Sequence, residues 1–152
     1  MGPAGKQHGP VTVQAGGALA VSGAGVTGSF SATGALAVSL CQSTITGPVS
    51  VQGTSGYALI GWDSDDPGNC AGNTINGATT LDANTGGLEA SANTITGPVR
   101  VTNNSGSGLL PEDVAPEFEA DHVNGPLACS GNKPTLDQAG NSVTGSRSGQ
   151  CR

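Results

Sequence analysis

The acidic residues are the first candidates for chemistry in this 152-residue chain, because eight of its eleven Asp and Glu fall in two short segments, 61–69 and 109–121. Clustered carboxylates can bind a cation or a complementary surface, and aromatic side chains beside them add apolar contact area. The sequence therefore predicts an acidic binding corner made of Trp62, Asp63, Asp65, Asp66, Glu112, Asp113, Glu117, Phe118, Glu119 and Asp121.

Calcium is the one cofactor that these segments suggest, with Asp63, Asp65 and Asp66 as its candidate ligands. Ca²⁺ binds carboxylate oxygens together with loop carbonyl oxygens. The match to a calcium loop is partial, because Pro67 occupies the third oxygen position and no Glu stands at the twelfth position. Two solvated surface loops without any ligand are the alternative.

Catalysis would need other residues, and few are placed to provide it. Arg100 is the one basic residue expected to point outward from the middle of a strand, which resembles the basic catalyst of polysaccharide lyases built on β-helices. A carboxylate pair such as Asp66 and Glu117 would serve hydrolysis only if the two segments converged. A Ser/His/Asp triad around His122 would lie open on a strand ladder. We expect no catalytic residues, and a lyase-like enzyme is the alternative.

Glycines at a regular spacing divide the chain into the repeat units that must position these residues. Each unit begins with a run such as G-P-V-T-V-Q and ends with a triplet such as T-I-T, in which one apolar residue lies between two polar ones. This alternation indicates short strands with one buried face. The units have 19 or 20 residues, with about ten extra in the third and eight in the fifth, and they open at Gly9, Gly28, Gly47, Gly77, Gly97, Gly125 and Gly145.

Short strands of this kind bury little alone, but stacked coils share a continuous core. The sequence predicts an all-β, single-domain parallel β-helix (a β-solenoid) of six to seven coils over residues 9–152, after an N-terminal arm at 1–8. Loop insertions are expected at about 61–70 and 108–121, leaving the rod at one shared corner. A β-sandwich is the alternative fold. Segment 114–122 is left open between a short helix starting near Pro116 and an irregular loop.

A column of polar residues four positions before the opening glycines predicts a hydrogen-bonded ladder along the stack. Asn side chains suit such a corner because their amides can donate to one coil and accept from the next. The members are Asn73, Asn93 and Asn141, with Ser43 and Asp121 in the same phase.

The four cysteines fall into two phase-matched pairs. Three pairings are open to four cysteines, and the repeat phase selects Cys41–Cys70 and Cys129–Cys151, since each pair would join consecutive coils. Disulfides favour an oxidising compartment, so we expect a secreted protein. Met1 is followed by no basic start and no apolar segment, so a removed leader or a larger parent protein is left open.

The run from Leu127 to Cys151, L-A-C-S-G-N-K-P-T-L-D-Q-A-G-N-S-V-T-G-S-R-S-G-Q-C, resembles the C-terminal motif of small secreted actinobacterial repeat proteins. Their upstream N-T-[IV]-x-G repeats are matched at Asn73–Gly77 and Asn93–Gly97, and the resemblance covers about residues 41–152. It implies secretion and a solenoid, and it implies no activity.

The outward positions of the closing triplets form a second candidate surface. Thr44 and Thr46, Thr74 and Asn76, and Thr94 and Thr96 should stack in ranks, with Gly25 in place of the first-rank Thr in the first coil. Such a regular array of hydroxyl and methyl groups resembles the ice-binding faces of β-solenoid antifreeze proteins. The polar residues His122, Asn124 and Ser142 interrupt it further along.

Composition narrows the class of function. Five Lys and Arg against eleven Asp and Glu, a net charge of −6, disfavour nucleic acid as a partner, and no apolar run is long enough to span a membrane. We therefore expect a secreted structural or binding module that adheres to a glycan, a cell-wall surface or a protein through the acidic corner. Exposed strand edges permit end-to-end self-association. A polysaccharide-active enzyme and an ice-binding protein are the alternatives.

Overall fold

The computed structural model describes residues 1–2, 4–62, 70–106 and 114–152. Within these ranges the protein is all-β and contains no helix, so no described helix could span a membrane. The strands form three parallel sheets in which each coil pairs with the next one along the stack. This arrangement confirms the expected parallel β-helix.

The first five coils each contribute one strand to each sheet, in the chain order A, B, C, and the last two coils contribute strands to sheets A and B. Sheet A contains β1 (Lys6–His8), β4 (Gly25–Thr27), β7 (Thr44–Ile45), β10 (Thr74–Asn76), β13 (Thr94–Thr96), β16 (His122–Asn124) and β18 (Ser142–Val143). Sheet B contains β2 (Val11–Val13), β5 (Phe30–Thr33), β8 (Val49–Gln52), β11 (Thr79–Asp82), β14 (Val99–Thr102), β17 (Leu127–Ser130) and β19 (Arg147–Gly149). Sheet C contains β3 (Ala18–Ser22), β6 (Ala37–Cys41), β9 (Tyr57–Gly61), β12 (Leu88–Ser91) and β15 (Glu117–Glu119).

The core lies between the three sheets and takes one face of every strand. In sheet A the single apolar residue of each triplet points inward, so that Ile45, Ile75 and Ile95 are fully buried and stack in register. Val49 and Val51 of β8 stack in the same way on Thr79 and Leu81 of β11. Alternation within each strand therefore fixes which side chains face solvent.

The glycines that open the repeat units stack where successive coils approach most closely. A Cβ atom on Gly77 would lie 2.5 Å from the carbonyl group of Gly47, and one on Gly145 would lie 2.4 Å from that of Gly125. Only glycine fits at such a distance, which explains the strict column in the sequence.

Two polar ladders run through corners of the solenoid, of which the sequence analysis found one. The predicted ladder is confirmed: the Asn73 amide donates to Asn93 Oδ1 (3.0 Å), and the Asn93 amide donates to Asp121 Oδ1 (2.9 Å). The second ladder follows the same geometry between Asn84 and Asn104 (2.9 Å). Its members, all of them buried or half-buried, are Thr54, Asn84, Asn104, Asn132 and Gln150.

Three details of the expected organisation need correction. The solenoid starts before residue 9, because Lys6–His8, expected in an N-terminal arm, already pairs with Gly25–Thr27. Segment 114–122 is neither a helix nor an irregular loop, because Glu117–Glu119 forms β15 and pairs with β12. The two insertions therefore do not leave from one corner: the first joins sheet C to sheet A, and the second joins sheet B to sheet C.

Both disulfides form as the repeat phase indicated. Cys41 is bonded to Cys70, and Cys129 is bonded to Cys151. The second bond ties the chain end to β17, and so it fastens the last coil onto the stack.

Candidate functional site

The predicted acidic corner is only partly within the described residues. Asp63, Asp65, Asp66, Glu112 and Asp113 lie outside them, and so does the proposed calcium loop. Among the described residues no group of three His, Cys, Asp or Glu is arranged to hold a metal ion. The calcium site and the surface-loop alternative both stay predictions.

The described members of that corner are placed differently from the expectation. Phe118 is 0% exposed and packs in the core, so it does not provide a surface platform. Asp121 is 1% exposed and belongs to the polar ladder. Trp62, Glu117 and Glu119 are half-buried. The corner thus loses one of its two aromatic residues and one of its carboxylates to the interior.

Asp121 is a titratable group with a strongly shifted pKa. Burial, opposed by hydrogen bonds from Asn93 and reinforced by the charge of Glu119, raises the pKa of Asp121 from 3.8 to about 8. Its Oδ1 accepts hydrogen bonds from the Asn93 backbone and side chain, while Oδ2 is buried and has no partner. At Asn73 and Asn93 of the same ladder the corresponding group is a side-chain amide, which donates to a strand carbonyl.

The most regular surface of the described chain is the outer face of sheet A, called here the sheet A face. It consists of the outward residues in or directly after the seven strands. Two residues per coil project outward from either side of the buried apolar residue, and all but Gly25 are exposed. The members are Lys6, His8, Gly25, Thr27, Thr44, Thr46, Thr74, Asn76, Thr94, Thr96, His122, Asn124, Ser142 and Thr144.

The strand register aligns these residues into two ranks that run along the solenoid. In the first rank Thr74 lies between Thr44 and Thr94, and in the second rank Asn76 precedes Thr96. Parallel strands lie about 4.8 Å apart, and outward residues of one strand stand about 6.6 Å apart. The ranks therefore present methyl and hydroxyl groups on a nearly rectangular lattice.

The chemistry of the sheet A face is neutral over its central coils. Side chains of Thr44, Thr74 and Thr94 make no hydrogen bond to another described group, whereas Thr144 Oγ1 is 3.0 Å from Asn124 Oδ1. β-Branched residues are stiff at χ1, so these hydroxyls are held in a few orientations. The central face is thus a pre-ordered array of donors and acceptors.

Arg100 is exposed on sheet B, as the sequence indicated. Its register neighbours are Thr80 on one side and Ala128 on the other, and neither can serve as an acid or base. The predicted Ser142 and His122 also lie side by side in register on the open sheet A face. The carboxylate that directly precedes His122, Asp121, is buried and accepts hydrogen bonds from Asn93, so it does not reach this exposed face.

The second ladder was missed although the sequence carries a signal for it. Thr54, Asn84, Asn104 and Asn132 each stand seven residues after an opening glycine, as regularly as the residues of the first ladder stand four residues before one.

Comparison with protein families, with curated proteins and with solved structures finds no match for this chain. The assignment of function therefore depends on the geometry of the surface.

Proposed function

We propose that this protein is a non-catalytic surface-binding module that binds ice through the sheet A face. One observation carries the proposal: the register that stacks Thr44, Thr74 and Thr94 into one exposed rank, with Asn76 and Thr96 in the rank beside it. A repeating ligand is required because a repeating array of weak donors and acceptors gains affinity only when many positions bind together.

The support beneath the face favours a rigid surface over an adaptable one. The buried Ile45, Ile75 and Ile95 pack directly below the Thr ranks, and the polar ladder precedes each of these strands. A rigid array loses little conformational entropy on binding, so weak individual contacts can still add up. The same face carries no charge over its central coils, which suits a neutral crystalline solid such as ice.

Secretion belongs to this proposal as well. The two disulfides would form and persist in an oxidising compartment, which favours an extracellular location. The resemblance to small secreted actinobacterial proteins points the same way and stays a prediction. Adhesion through the acidic corner and lyase activity at Arg100 also stay predictions. The burial of Phe118 and Asp121 removes part of the support for adhesion through that corner.

Thermal hysteresis and inhibition of ice recrystallisation test the proposal directly. Thr94→Tyr places a bulky ring in the middle of the ranks and should reduce both activities by at least about tenfold, because the lattice match fails across three coils. Thr12→Tyr is the matched control, since Thr12 is also an exposed threonine of a strand but lies on sheet B. Melting curves establish that both variants fold.

Three results bear on the outcome. Activity in the wild type and in Thr12→Tyr, with loss in Thr94→Tyr, supports the sheet A face. Equal activity in both variants would show that another surface binds ice. A wild type without hysteresis or recrystallisation inhibition rejects ice as the ligand, and retention on insoluble polysaccharides or cell walls would then favour adhesion.

A further inference from the structure

The first coils of sheet A interrupt the Thr ranks and form a groove. Its floor is the strand segment Gly25-Val26 of β4, and it has a volume of about 260 Å³. The groove exists because Gly25 stands where the next coils carry Thr: a Cβ atom built on Gly25 would meet nothing within 4 Å. The rank therefore has a missing side chain, and the space is open to solvent.

The groove lies between chemically different walls. Lys6 and His8 of the edge strand β1 line one side, and Thr44 and Thr46 of β7 line the other. Lys6 and Thr44 are both register partners of Gly25, so their backbones stand two strand spacings, or about 10 Å, apart. A ring-shaped molecule can fit across that gap without displacing either strand.

The charge of the edge strand selects the ligand. The chain has only five Lys and Arg against eleven Asp and Glu, yet Lys6 and His8 stand two residues apart on one strand and line the same groove. The Lys6 ammonium has three N–H donors, and the His8 imidazole has at least one. Among the described residues, no Asp or Glu lines the groove. These donors fit a carboxylate, which forms its strongest hydrogen bonds with cationic groups.

The opposite wall and the end of the floor fit hydroxyl groups. Thr27 and Thr44 each provide an oxygen that can donate and accept, and Thr46 Oγ1, which donates to Val26 O (3.4 Å), can accept. The volume is slightly below the roughly 300 Å³ at which ligand pockets usually begin, so it fits one sugar ring rather than several. We propose that this groove binds a single uronic acid residue, with its carboxylate at Lys6 and His8 and its hydroxyls at the three threonines.

This site shares Thr44 and Thr46 with the proposed ice-binding face, and one substitution distinguishes the two. Gly25→Thr fills the groove and at the same time completes the Thr rank. Gly25 has no left-handed backbone conformation, so Thr is tolerated there. The variant should lose uronic acid binding and keep full thermal hysteresis.

Titration of the full chain with sodium glucuronate, followed by NMR chemical shifts, tests the site. We expect saturable shifts centred on β1, β4 and β7, an at least tenfold weaker affinity for glucose, and the same for acetate, since each lacks half of the recognised chemistry. Lys6→Gln should weaken glucuronate binding by about tenfold, which is the usual loss for a charge-assisted hydrogen bond. Lys133→Gln, at an exposed lysine outside the groove, should bind as the wild type does.

Each outcome of these experiments either supports or overturns the proposed site. Loss of glucuronate binding in both Gly25→Thr and Lys6→Gln, with binding kept in Lys133→Gln, supports the site. Equal binding of glucose or acetate would overturn the assignment of a uronic acid. Undiminished binding in Gly25→Thr, or no saturable binding in the wild type, would overturn the groove itself, and neither result changes the outcome of the ice assays.

Discussion

Replacing Asp121 by Asn should stabilise this protein, and the gain should grow with pH. Every Asn of the first ladder donates its side-chain amide to a strand carbonyl: Asn73 to Leu40 O (2.9 Å) and Asn93 to Ile60 O (2.8 Å). Asp121 lacks that amide, and its Oδ2 is buried without a partner. An Asn at 121 restores the missing donor and removes a buried ionisable group.

The magnitude follows from the pKa. Burial raises the pKa of Asp121 from 3.8 to about 8, so the folded protein holds this proton more tightly than the unfolded chain does. The stability that this provides is complete below pH 4 and is lost as the pH rises from about 4 to 8. At about 1.4 kcal/mol per pKa unit, the loss reaches about 4 kcal/mol at pH 7 and about 6 kcal/mol above pH 8. Asp121→Asn should abolish this loss.

Urea unfolding of the disulfide-intact protein between pH 4 and pH 9 measures the effect. The wild type should lose stability across this range, and Asp121→Asn should do so much less. Asp137→Asn is the control, because Asp137 is an exposed carboxylate of the next coil and should leave the pH dependence unchanged. A constant difference between wild type and Asp121→Asn at all pH values would refute the reasoning, and so would a variant less stable than the wild type at pH 8.

Two further substitutions test the fold at particular contacts. Phe118→Ala should lower the free energy of unfolding in urea by about 3–5 kcal/mol, because the ring is fully buried. A loss below about 1 kcal/mol would contradict the burial of Phe118. Gly77→Ala should cost at least about 2 kcal/mol, since its Cβ would lie 2.5 Å from the Gly47 carbonyl. Gly25→Ala, with open space at its Cβ, should cost less than about 1 kcal/mol, and equal costs at the two glycines would contradict the close stacking of the coils.

The sequence was informative wherever one contact repeats from coil to coil. The glycine column, the first ladder and both disulfides are nearest-neighbour features, so a fixed phase in the chain determines a fixed place in the stack. The Thr ranks were predictable for the same reason. The first strand at Lys6–His8 was missed because its triplet carries charged and amide residues in place of Thr and Ile.

β15 was misjudged because local signals compete with the stack. Pro116 followed by Glu117 and Glu119 resembles the first turn of a helix, where proline and acids are common. In the structure Glu117–Glu119 pairs with β12, and the burial of Phe118 outweighs that local preference. The predicted second insertion, about 108–121, was therefore too long, and the corner from which it leaves the solenoid was predicted wrongly. The groove at Gly25 could not be predicted from the sequence, because it depends on how three strands pair in register.

The first ladder and the first Thr rank are structurally linked, because each ladder residue is followed directly in the chain by a first-rank residue. Asn73 precedes Thr74 and Asn93 precedes Thr94. The ladder also continues beneath other first-rank residues, since the buried Asp121 precedes His122 and Asn141 precedes Ser142. At the other end, Ala24 has no side-chain donor and precedes Gly25.

The regular part of the sheet A face therefore lies over a polar ladder that joins consecutive coils. Uniform spacing matters for a lattice of weak contacts and matters little for a single pocket. Ice binding should accordingly depend on the ladder in the central coils, whereas the groove at Lys6 and Gly25 lies beyond its end and needs only three strands. The two proposed sites thus meet at Thr44 and Thr46 but depend on different features of one sheet.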